Sequence, residues 1–167
     1  LGHSLGLGRG LIADELGLID ERVVAKRVIG GDRVALGIAP SGAGVVLKRG
    51  IRMTNQELAK VANEVRKGVV TAVHAAKSGH PGGSLGAADI MTYLYFEEMN
   101  IDPADPHKAD RDRFVLSKGH AAPGLYSVLA NRGYFPVEEL ETLRHIGSRL
   151  QGHPNMNDTP GIDMSTG

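Results

Sequence analysis

From Thr54 onward, apolar side chains recur three and four residues apart. In TNQELAKVANEVRKGVVTAVHAA, residues Leu58, Val61, Ala62, Val65, Val69, Val73 and Ala76 fall on one stripe of a helical wheel. Thr54 stands three residues ahead of Glu57, the spacing of a capping box. The pattern therefore predicts an amphipathic helix of about six turns, stopped by Gly79 and Pro81. A second helix is expected with Ser84 as N-cap, running through LGAADIMTYLYFEEM and turning Leu85, Ala88, Met91, Tyr95 and Met99 toward a core. After the polar loop IDPADPHKADRD, the run RFVLS reads as a short buried strand halted by Lys118, Gly119 and His120. AAPGLYSVLANRG then reads as a helix despite Pro123 and Gly124 near its start, and PVEELETLRHI as one more short helix with Pro136 in its first turn. From Gly147 to Gly167 the chain is loop-like. Helix, strand and helix in this order predict an α/β layer fold. One clear strand does not make a sheet, so the sheet is expected to be incomplete within these residues.

The first 52 residues have a different character. They hold 11 of the 23 glycines and none of the Tyr or Phe side chains, with 8 basic and 5 acidic residues against 11 and 14 in the remainder. LIADELGLIDERVVAKRVI is compatible with a helix, and RVALGIAPSGAGVVLKRG with a hairpin around Pro40 to Gly44. With few groups to bury against the entropy of ordering, residues 1–52 are expected to be a mobile or marginally docked glycine-rich leader. Residues 53–167 form the second unit. GLGRG carries the glycines of a phosphate loop, but no strand precedes it, and an ordinary loop is the preferred reading.

Composition narrows the function classes. Nineteen basic side chains balance 19 acidic ones, so no overall field recruits nucleic acid or an anionic membrane, and any anion must be held locally. The chain has no cysteine, which excludes disulfides and thiolate metal sites. No apolar run approaches the roughly 20 residues of a bilayer span, and the amino terminus lacks the pattern of a secretory signal. The expected setting is soluble and cytoplasmic.

The candidate chemistry lies in three glycine turns. His80, His120 and His153 each follow a glycine directly, in SGHPGG, SKGHAA and QGHPN. Glycine permits a sharp bend and proline fixes the exit, so such turns hold an imidazole in a set direction. Where a strand ends and a helix starts, as expected at His120, backbone N–H groups and the helix dipole favour a phosphate, and an imidazole can add a donor. A zinc site built from the three is the alternative, although their separations give no ligand-spacing signature. His3, His74, His107 and His145 lack this setting and are read as surface or packing residues.

SGHPGGSLGAADIMTYLYFEEMNIDPADPHKADRDRFVLSKGHAAPGLYSVLANRGYF, followed by LQGHPNMNDTPGIDMSTG, resembles the beginning of transketolases, especially the amino-terminal subunit of the split, two-chain form. SGHPGG, DRDRFVLSKGH, GHP and the terminal STG come in that family's order and spacing, over residues 53–167, and Met53 is where such a chain would begin. The resemblance implies a thiamine-diphosphate-binding fold, a parallel sheet flanked by helices. It implies transfer of a two-carbon ketol unit from a ketose phosphate to an aldose phosphate, with the difficult chemistry carried by thiamine diphosphate and a divalent ion, Mg²⁺ or Ca²⁺. His80 and His153 are then the catalytic residues near the reacting carbons. His120 binds the cofactor's diphosphate, and Gly167 packs its backbone against the cofactor. Asp110, Arg111 and Arg113 are expected to fix the loop before the strand by ion pairs, and Ser165 and Thr166 to serve turn geometry. No phosphate role is assigned to Lys118. The family's metal motif, Gly-Asp-Gly followed by Asn, and its activating glutamate are not found in this sequence, where the one Gly-Asp pair is Gly31-Asp32. The expected partners are sugar phosphates and a carboxy-terminal transketolase subunit, in a dimer of heterodimers when complete. The competing expectation is a truncated, non-catalytic or subunit-association fragment.

Overall fold

The structure, a computed structural model, describes residues 23–26, 34–37, 46–49 and 52–167. In the leader, Val23–Lys26 forms strand β1, Val34–Gly37 β2 and Val46–Arg49 β3. β2 and β3 pair antiparallel, Val34 opposite Arg49 and Gly37 opposite Val46, as a hairpin requires. Its turn lies outside the described residues, as do GLGRG and most of the expected leader helix. The last part of that expectation is corrected, because Val23–Lys26 is extended, the state that β-branched residues favour.

Helix α1, Asn55–Ala76, is the element the periodicity predicts. Glu57 N donates to Thr54 Oγ1 at 3.3 Å and Thr54 N donates to Glu57 Oε2 at 2.7 Å, which completes the capping box. Ala62, Val65 and Val69 are buried, and Leu58, Val61, Val73 and Ala76 pack partly against the core. The helix closes at Lys77 in the left-handed conformation (φ 50°), ahead of the expected glycine stop.

Helix α2, Pro81–Tyr93, starts earlier than expected. Proline suits the first helical position because its ring presets φ and its missing N–H would have no intrahelical partner there. His80 therefore occupies the N-cap position, with no side-chain cap of its own. Ser84, expected as the cap, is fully buried inside the helix. Beyond Tyr93 the chain widens into a π turn, Leu94–Glu98, which buries the adjacent Tyr95 and Phe96 together. Strand β4, Arg113–Leu116, buries Phe114 and Leu116 but exposes Arg113, so the expected fully buried strand is buried on one face. It pairs antiparallel with β1, Val23 opposite Leu116. Both ladders among the described residues are antiparallel, and the parallel sheet implied by the resemblance is not among them. A parallel neighbour would need a crossover returning to β4.

Gly119–Ala121 makes one 3₁₀ turn and leads into helix α3, Ala122–Arg132, which ends at Gly133 with φ 98°. All of α3 except Asn131 is buried, and it forms the centre of the core. The expected last helix is a 3₁₀ segment, Val137–Thr142. Leu140 is its buried position, and Leu143, which follows the segment, is buried three residues on, a spacing that suits 3₁₀ geometry. Thr142 Oγ1 donates to Glu139 O at 2.8 Å, in competition with a continuing helix.

Glycines let α1 and α2 approach α3. A Cβ at Gly124 would stand 2.8 Å from Met91 Cε and 3.2 Å from Ser84 Cα. Ser127 Oγ on α3 donates to Val65 O of α1 at 2.8 Å, and Gly68 leaves the room it occupies. Gly124→Ala is expected to destabilise the fold by about 1–3 kcal/mol through overpacking, despite alanine's better helix propensity. Urea unfolding measures it, and an unchanged midpoint would contradict the close approach.

Candidate functional site

Ser84 joins the starts of two helices. Its hydroxyl donates to Ala121 O at 3.1 Å and accepts from Gly124 N at 3.2 Å, so the first turn of α2 is pinned to the first turn of α3. His80 caps the one, and His120 sits in the 3₁₀ turn leading to the other. Their rings meet edge to face, with centroids 5.9 Å apart and planes at 88°. A Cβ at Gly83 would lie 3.7 Å from His120 Nε2, whereas at Gly82 it would meet nothing within 4 Å. The space beside the first turn of α2 is therefore open. Both imidazoles are exposed. The start of α2, with the N–H groups of Gly82 and Gly83 and the positive end of its dipole, faces that space, an arrangement that favours an anion. The start of α3 is buried and spends its donors within the fold, Ala122 N on Gly119 O and Gly124 N on Ser84 Oγ.

The last residues run back to this place. Phe114 N donates to Asp163 Oδ2 at 2.6 Å, and Asp163 forms an ion pair with Arg111. Thr166 Oγ1 donates to Leu116 O at 2.7 Å, which lays the final segment beside β4. Gly167 is then wedged between two of the histidine turns. A Cβ at Gly119 would stand 2.8 Å from Gly167 Cα, and one at Gly167 2.8 Å from His153 Cγ. At φ 153°, Gly167 also has a backbone that side chains rarely adopt. The His153 turn is held from below by Tyr126, whose phenolic proton is shared between Gln151 O at 2.9 Å and His153 O at 3.0 Å. Burial pushes that phenol's pKa well up, so it remains a donor.

All four sequence-derived positions thus fall at one end of β4. His80 and His120 touch directly, and His153 joins them through Gly167 and Gly119. Among the described residues, no group of three or more His, Asp or Glu is arranged to hold a metal ion, so the zinc alternative has no geometric support. The loop before β4 is fixed by Arg111 paired with Asp163, Lys108 with Asp110 at 3.3 Å, and Asp112 Oδ2 accepting from Asn100 N at 2.8 Å. Arg113, expected in an ion pair, instead donates from Nη1 to Arg111 O at 2.8 Å. Ser165 Oγ accepts from Met156 N at 3.1 Å, a turn contact. His74, His107 and His145 are exposed, and His3 lies outside the described residues. Sequence reasoning missed Ser84's bridging role, Asp163, Tyr126 and Gly119. Of these only Gly119 carried a signal, as the glycine before His120.

One open helix start flanked by two imidazoles is an arrangement that suits an anion. Residues 57–167 match the family model described as transketolase, thiamine diphosphate binding domain, and the chain belongs to that family. It is 47% identical over 111 residues to the 6-deoxy-6-sulfo-D-fructose transketolase subunit SqwG of Clostridium sp. (strain MSTE9), covering 66% of this chain and 40% of that protein. It is 45% identical over 108 residues to transketolase 2 of Escherichia coli (strain K12), covering 64% of this chain and 16% of the relative. The crystal structure of a Pichia stipitis transketolase in complex with sedoheptulose-7-phosphate superposes with a TM-score of 0.63 at 44% identity, over 66% of this chain and 16% of that one. The chain therefore spans less than half the length of these relatives.

Asp163→Asn removes a nearly buried charge from its partner Arg111. The expected loss is on the order of 3 kcal/mol, whereas Asp110→Asn, in an exposed pair, is expected to cost about 0.5 kcal/mol or less. Chemical denaturation of both variants measures the difference, and equal losses would contradict the assigned role of Asp163.

Proposed function

We propose that this chain is the N-terminal portion of a transketolase, with residues 53–167 forming the front of its diphosphate-binding domain and residues 1–52 a glycine-rich leader, of which Val23–Lys26 pairs with β4. The observation that carries the reading is the convergence of His80, His120, Gly167 and His153 on one exposed end of β4. The features there suit a diphosphate: the start of α2, the His120 imidazole, and open space beside Gly82. Thiamine diphosphate, when bound, supplies the carbon nucleophile that breaks and makes the ketol carbon–carbon bond.

The chain's own residues bind, orient and move protons. His120 donates to a diphosphate oxygen. Gly167 lets the backbone lie close to the cofactor, where a Cβ would strike His153. His80 and His153 hydrogen-bond the sugar's oxygens and exchange protons with its hydroxyls, a task suited to a group that donates at one nitrogen and accepts at the other near neutral pH. A parallel sheet is the fold this reading carries, although both ladders among the described residues are antiparallel. A divalent ion, Mg²⁺ or Ca²⁺, would offset the charge of the diphosphate and would take oxygen ligands that are not among the described residues.

A C-terminal transketolase subunit is the proposed partner, in a dimer of heterodimers, supported by the likeness to a relative named as a subunit. Sugar phosphates are the proposed substrates, supported by the sedoheptulose-7-phosphate complex of the Pichia transketolase. A cytoplasmic location, as for an enzyme of the pentose phosphate pathway, agrees with the described helices, none of which is long and apolar enough to cross a membrane.

In the enzyme assembled with its companion subunit, His120→Ala is expected to weaken thiamine diphosphate binding about tenfold or more at little cost to turnover at saturation. His80→Ala and His153→Ala are expected to lower kcat by about 10²–10⁴-fold with cofactor affinity retained. Calorimetry and steady-state kinetics separate the two effects, and unchanged values for all three variants would remove the assignment. The 167-residue polypeptide alone is expected to bind the cofactor weakly in Mg²⁺ and to transfer no ketol unit; a micromolar constant by calorimetry would contradict this.

A further inference from the structure

We propose that Arg144 is a positioning residue that clamps the turn carrying His80 to the turn carrying His153. Its guanidinium reaches both. Nη1 donates to Ser78 Oγ at 3.3 Å, across 66 residues of chain, two positions before His80. That hydroxyl spends its own proton on Ala76 O at 3.2 Å, which leaves a lone pair for the arginine. The same guanidinium lies against Gly152, the residue before His153: a Cβ there would stand 3.3 Å from Arg144 Nε and 3.5 Å from its Cζ. A side chain at 152 would make the arginine give by a few tenths of an ångström.

The backbone gives an independent observation. Arg144 has φ 62°, in the left-handed region that costs free energy for any residue but glycine. Among the described residues the other non-glycine residue with positive φ, Lys77, closes helix α1. Arg144 is the third residue of the turn that ends the 3₁₀ segment, where Leu143 is extended (φ −48°, ψ 125°) and His145 N donates to Thr142 O at 3.0 Å, a position that glycine usually fills. Its own N–H donates to Leu150 O at 2.7 Å, folding residues 144–150 into a loop that returns to the His153 turn. A strained site that glycine would relieve is occupied instead by a forked side chain whose two faces meet two histidine turns. The guanidinium's planar set of donors suits a contact with two loops at once, which an ammonium on a flexible stem does not reproduce. The inference rests on the proposed function for its bearing on catalysis, since His80 and His153 must face one substrate together.

The test uses the full chain with isotope-labelled histidine. Ring signals of His80 and His153 are followed by NMR, with His107 in the exposed loop before β4 as the control. Arg144→Gly removes the side chain and relieves the backbone. The expected result is a shift or broadening of both the His80 and His153 signals, an unmoved His107 signal, and a Tm equal to or above that of the unaltered chain. Arg144→Lys is expected to displace both rings as well, and Ser78→Ala to disturb His80 while leaving His153 in place. Unmoved His80 and His153 signals in a folded Arg144→Gly chain would overturn the proposal. A fall in Tm with all three histidines shifting alike would also overturn it, by showing a general structural role. In the assembled enzyme, Arg144→Gly is expected to lower kcat about tenfold with unchanged cofactor affinity. Wild-type kinetics for His80→Ala and His153→Ala would defeat the functional reading alone, because the ring signals decide the role of Arg144 without it.

Discussion

The buried hydroxyl of Ser84 sets where two helices begin relative to one another. It bonds Ala121 O and Gly124 N within the core, and the absence of a side chain at Gly124 permits the approach. A buried hydroxyl left without partners costs about 1–3 kcal/mol, so the helices have little freedom to slide past this point. Everything at the candidate site inherits that constraint. Because the first turns of α2 and α3 are side by side, the residues just before them, His80 and His120, are brought into ring contact beside the open start of α2.

The third histidine is brought in by different means. A strap from Asp163 to Gly167 is tied to β4 at both ends, by Asp163 to Phe114 N and by Thr166 to Leu116 O. It delivers a glycine into the gap between the His120 and His153 turns, where no larger residue fits. Tyr126 reaches from the central helix to hold the carbonyl of His153. The site is thus assembled by fixed backbone, with loops tied to core elements at several points. Such an arrangement holds imidazoles in place without spending substrate binding energy to order them.

Much of this was legible in the sequence, and the reasons differ by element. Helix α1 was readable from its capping box along its stripe because both are local, although it closes at Lys77 rather than at Gly79. The three Gly-His turns were readable because bend chemistry is local too. The start of α2 was misread. Ser84 has the residue type of a cap, and only the tertiary contact to Ala121 and Gly124 turns its hydroxyl inward. The 3₁₀ form of Val137–Thr142 was missed since helical propensity says little about how few positions a short segment can bury. Asp163 and Tyr126 act across 49 and 27 residues respectively, at distances where no spacing rule applies.

The central claim is that these turns converge on one cofactor site, and a crystal structure of the chain assembled with its companion subunit, thiamine diphosphate and Mg²⁺ tests it most directly. The account predicts the diphosphate within hydrogen-bonding reach of His120 and beside the first turn of α2, with the His80 and His153 rings directed at the thiazolium side. A cofactor bound elsewhere, or imidazoles turned away from one another around it, would contradict the account.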